Sequence, residues 1–106
     1  MTREVDSTQL PVVASCSLDA DGLRRQRERY RRAGEGAKVA EKDTRRLVVE
    51  VEPGSEETVA ELVAVERECC PFFGLDWDAG RRRLSVSVAE REHEPALEAI
   101  AYALGL

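Results

Sequence analysis

Nowhere in the 106 residues do about 18 apolar side chains follow one another, so no segment reads as a membrane span. The opening stretch, Met1 to Leu10, has no basic patch leading into an apolar run, so no export signal is read there. Cysteine is scarce: there are three, an odd number, with Cys69 and Cys70 adjacent and no paired CxxC motif. That is not the framework of a disulfide-stapled secreted domain, and reduced thiols in the cytoplasm are expected. Histidine occurs once, at His93, and no internal repeat or low-complexity segment is present.

What is there fits one soluble domain. At 42% hydrophobic and 35% charged residues, the chain has the material for a single core, and dividing it would leave two pieces too small to bury one each. Residues 1 to 9 carry no periodicity and read as a flexible tail, leaving 10 to 106 as the folded unit. Sixteen basic against 21 acidic residues give a net charge of −5, which opposes general attraction to nucleic acid or anionic lipid. The average hides an Arg-rich segment running from Arg24 to Arg32 and a second cluster at Arg81 to Arg83. The Arg-rich helix has no accompanying aromatic series, and a solvated face is its expected role.

Periodicity supplies the elements. Val12, Ala14, Cys16 and Leu18 alternate with Val13, Ser15 and Ser17, the pattern of a half-buried strand with Cys16 on its more apolar side. Asp19 can cap a helix to about Ala33, whose thin apolar stripe is Leu23, Tyr30 and Ala33, with Gly34 and Gly36 ending it. Val39 to Glu41 and Leu47 to Glu52 read as strands, the second with Leu47, Val49 and Val51 on one face. A helix from about Glu56 to Cys70 follows, with Ser55 as N-cap, Glu56 and Glu57 in its first turn and Pro71 as its stop. Leu75 to Trp77 and Leu84 to Val88 form a hairpin around Asp78-Ala79-Gly80, where glycine can take a positive φ. Pro95 opens a last helix with Leu97, Ile100, Ala101 and Leu104 on one face. The order implies an α+β fold, an antiparallel sheet with helices packed against it, and ferredoxin-like topology is one candidate.

Chemistry concentrates on the helix ending at Cys70. Val59, Leu62, Val63, Glu66 and Cys70 share a face, so a carboxylate lies on an apolar stripe. Loss of hydration there calls for a compensating donor, cation or metal and makes Glu66 a candidate acid, base or ligand. Its i+3 and i+4 neighbours are Cys69 and Cys70, which puts one carboxylate and two sulfurs in one patch. Adjacent cysteines diverge by about 100° on a helix, so both meet one ion only if the helix end unwinds. A thiol at a helix C-terminus is not acidified by the dipole, whereas a bound metal deprotonates it outright. If the strand carrying Cys16 packs beside this helix, three thiolates suit soft or borderline ions such as mercury, arsenic, zinc or copper(I). Inert packing competes with this reading, because unpaired cysteine is commonly buried as a small apolar side chain.

The string Glu68-Cys69-Cys70-Pro71-Phe72-Phe73, with an earlier strand cysteine and an Arg-rich helix, resembles a small bacterial Glu-Cys-Cys-Pro-Phe family. Its members resemble segments found beside, or fused to, mercury-resistance-type regulators and other heavy-metal genes. The resemblance spans Val13 to Leu104 and implies thiol capture of a toxic metal or metalloid. Two other classes stay open. One is a small enzyme of specialised metabolism with Glu66 or Cys70 as catalytic group in a pocket walled by Phe72, Phe73 and Trp77. The other is an interaction module, a homodimer through its last helix or a strand, with structural cysteines. The partners expected are thus a metal ion or small molecule and a second copy of the chain, with neither nucleic acid nor membrane.

Overall fold

The computed structural model describes residues 19–106, so the expected tail and the strand through Cys16 lie outside the described residues. Helix α1 (Ala20–Gly34) starts where the Asp19 carboxylate accepts the Gly22 N–H at 2.7 Å, satisfying an orphan donor of the first turn. Its buried stripe is Gly22, Gln26, Tyr30 and Ala33: Tyr30 and Ala33 lie where the apolar period puts them, whereas Leu23 is only half-buried and a polar residue, Gln26, sits on the stripe. Gly36 at φ 74° turns the chain away after the helix. Gly34 answers to a different constraint: a Cβ there would stand 1.9 Å from the Leu104 carbonyl oxygen, so the ends of α1 and the last helix touch through backbone.

Strands β1 (Lys38–Lys42) and β2 (Arg46–Glu50) form an antiparallel hairpin, irregular between Val39 and Glu41, whose turn is fixed by Asp43 accepting the Arg45 N–H. Helix α2 (Glu56–Cys69) follows. Ser55 occupies its N-cap position but makes no side-chain cap bond; instead Glu56 reaches back to accept the Gly54 N–H at 2.8 Å.

Strands β3 (Phe73–Asp78) and β4 (Arg83–Val88) make the second hairpin. The positive φ expected at Gly80 falls instead on Arg82, at 55°. Arg82 is clamped to the chain after β2, accepting the Val51 N–H at 2.9 Å and donating Nε–H to the Val51 carbonyl at 3.1 Å, and these contacts hold the uncommon conformation. A 3-10 turn, Arg91–His93, leads into α3 (Glu94–Ala103), with Pro95 in its first turn.

The sheet is four-stranded and antiparallel throughout, in the order β1-β2-β4-β3. Cross-strand partners Leu47–Val86, Val49–Leu84 and Phe73–Val88 put one apolar face toward α2 and α3, while α1 packs on those helices. The core runs continuously through Tyr30, Leu47, Leu62, Leu84, Cys70 and Ile100. The α+β expectation of helices on an antiparallel sheet therefore holds. The described connectivity is α-β-β-α-β-β-α, with both central strands the second strand of a hairpin. No helix among the described residues is long and apolar enough to cross a membrane.

Candidate functional site

The apolar face of α2 carries Val59, Leu62 and Val63 into the core and takes Glu66 with them, 1% exposed. A buried carboxylate requires donors, and α1 supplies them. The Tyr30 hydroxyl donates to Glu66 Oε2 at 2.7 Å, and Gln26 Nε2 donates to the same oxygen at 3.2 Å. The Gln26 amide is itself fully oriented. Its Nε2 also donates to the Leu62 carbonyl at 3.0 Å, and its Oε1 accepts from the Arg29 guanidinium at 2.8 Å, so only one amide orientation satisfies all partners.

The other carboxylate oxygen is different. Glu66 Oε1 is buried and has no hydrogen-bond partner among the described residues. A carboxylate clamped through one oxygen and unfilled at the other is suited to accepting a proton or meeting a cation.

One turn further on, the helix ends. Cys69 is its last residue, half-buried against the core, while Cys70 has left helical geometry at φ −131°, ψ 75° and is fully buried. The helix thus ends in non-helical backbone at Cys70, one residue before Pro71. Cys70 stays tied to Glu66 through backbone, its N–H donating to the Glu66 carbonyl at 2.8 Å. Glu66 and Cys69 lie in the last turn of α2, and Cys70 is the residue after it. Among the described residues, no three His, Cys, Asp or Glu side chains form a group able to hold a metal ion. Cys16, the third expected sulfur, lies outside the described residues.

The aromatic residues after the cysteines serve different ends. Phe73 is core, whereas Phe72 and Trp77 are half-buried and pack against it. Phe72 stacks on His93 with centroids 4.2 Å apart and planes 17° from parallel. His93 occupies the N-cap position of α3, and it also packs on the aromatic residue two positions beyond Cys70. Its Nδ1 is buried with no hydrogen-bond partner among the described residues.

Sequence reasoning missed the donors of Glu66. Tyr30 was read as apolar stripe, and Gln26 was not singled out. The signal was present: Gln26 stands four residues before Tyr30, so it is a polar residue on the buried face of α1, as Glu66 is on α2. No family model, curated protein or solved structure matches this chain.

Proposed function

We propose that the protein binds a soft metal or metalloid ion of the mercury, arsenic, zinc or copper(I) class in the reducing cytoplasm. Cys70 and Cys69 are the thiol ligands, joined by Cys16, and Glu66 is a further ligand or the acceptor of the thiol proton. The observation that carries this reading is the buried Glu66 carboxylate, held through Oε2 by Tyr30 and Gln26 and with no partner for Oε1 among the described residues, on the helix that ends at the vicinal cysteines. Soft ions select thiolates, and each thiol must lose its proton to bind, so a carboxylate placed among thiols has a defined task. Burial restricts access to small ligands.

The test is a set of Cys16→Ser, Cys69→Ser and Cys70→Ser variants titrated with mercury(II) and arsenite against a competing thiol such as glutathione. The wild type is expected to take up one equivalent in the presence of competitor, and each substitution to weaken uptake. Unchanged uptake by the triple variant would contradict the assignment.

The same relay favours a second reading, a small enzyme in which Glu66 removes a proton from an organic substrate beside Phe72 and Trp77. An apo protein that fails to hold any soft ion against glutathione, yet shows Glu66-dependent turnover of an organic substrate, would establish that reading in place of the first.

A further inference from the structure

We propose that the cleft between α1 and α2 is a second binding site, for a small phosphate monoester or a comparable organic dianion. The cleft encloses about 420 Å³, within the range of small-molecule sites. Arg25, Arg29 and Arg32 recur along one side of α1 at spacings of four and three and line it, while Thr58 of α2 adds a hydroxyl to the opposite wall.

The charges in the cleft do not cancel. Arg24 is committed to Asp21, and Glu28 to Arg31, whose hydrogen bond holds the Glu28 carboxyl below the usual range and keeps it ionised. Arg29 faces Glu61 at 3.5 Å. Arg25 and Arg32 have no ion-pair partner among the described residues, which leaves two guanidinium forks to be met by a dianion. Phosphate oxygens are the usual acceptors for guanidinium forks. A polyanion does not suit the whole molecule, whose net charge of −5 opposes it.

Arg29 distinguishes this cleft from an ordinary solvated face. Its side chain is only 23% exposed, and its guanidinium is already oriented by the Gln26 carbonyl, whose amide in turn holds Glu66. A ligand drawing Arg29 away from Glu61 acts on the buried carboxylate through one intervening side chain. The cleft contains no cysteine, so anion binding and soft-ion binding are separable.

Nuclear magnetic resonance titration with phenyl phosphate reads this directly, because the chain has no asparagine and only two glutamines, Gln9 and Gln26. A Gln9→Glu variant assigns the Gln26 side-chain amide signals. Saturable one-to-one binding that shifts the Gln26 signals is expected at constant ionic strength. Arg25→Ala/Arg32→Ala, a change of cleft-wall side chains, is expected to keep the folded spectrum and weaken binding roughly a hundredfold, about tenfold for each guanidinium lost. Shifts reproduced by sodium chloride alone, or a single-stranded oligonucleotide that binds more tightly than phenyl phosphate, would overturn the proposal.

Discussion

The Tyr30 hydroxyl donates a 2.7 Å hydrogen bond to Glu66 Oε2, joining α1 to α2 through two buried residues 36 positions apart in sequence. That bond makes the buried carboxylate tolerable. In Tyr30→Phe, Oε2 keeps only the longer contact from Gln26, and a loss of about 1–3 kcal/mol is expected, the cost of an under-satisfied buried acceptor. Urea denaturation of the variant and wild type measures it. A variant as stable as the wild type would mean that the hydroxyl contributes nothing to holding Glu66.

Gly34 is expected to be intolerant and Gly80 tolerant. Alanine at 34 drives a Cβ into the Leu104 carbonyl at 1.9 Å, and the cost of prising α1 from α3 is expected to be about 1–3 kcal/mol or more. At 80 the φ is not positive and the nearest atom is a side-chain oxygen of Asp78 at 3.5 Å, so alanine there should lie within about 0.5 kcal/mol of wild type. Thermal melts of the two variants check the contrast, and the reverse order would contradict both assignments.

Glu56 gives a stability term with a definite pH dependence. Backbone N–H groups of Glu56 itself and of Gly54 hold its carboxyl below the ordinary range. A lowered folded pKa means that the contribution is present above the unfolded value and fades as pH falls through the folded one. The stability difference between wild type and Glu56→Gln should therefore be widest near neutrality and close in the acid range. A difference that stays constant with pH would exclude this carboxylate as its source.

The two cysteines should differ in reactivity in the native protein. Cys69 is half-buried and Cys70 fully buried, so iodoacetamide is expected to modify Cys69 first, with Cys70 following only as the structure opens. Peptide mass spectrometry over a time course resolves the order. Equal rates at both positions would show that the helix end opens freely.

The parts of this fold legible in the sequence were those in which one physical signal dominates. Leu84, Val86 and Val88 alternate cleanly on β4, and all three are buried. Asp19 caps α1 as its side chain allows. Legibility failed where two elements decide together. The positive φ fell on Arg82 because Val51, 31 residues away, holds both its backbone and its guanidinium, whereas turn composition favoured Gly80. Ser55 stands at the N-cap of α2 without a side-chain cap bond while Glu56 accepts from the Gly54 backbone, a local choice of geometry that composition does not reveal. For the site, the apolar period showed that Glu66 shares the inward face of α2, but its partners come from α1, and a helix-to-helix hydrogen bond has no sequence period. A polar residue on each of two buried helix faces was the available clue.

X-ray absorption at the arsenic edge of the arsenite-loaded protein tests the central claim most directly, since it counts the atoms around the ion. The account expects sulfur neighbours from Cys16, Cys69 and Cys70, falling by one in Cys70→Ser, with weakened uptake but unchanged sulfur count in Glu66→Gln if the carboxylate accepts the proton. A shell of oxygen atoms, or a sulfur count that Cys70→Ser leaves untouched, would contradict it.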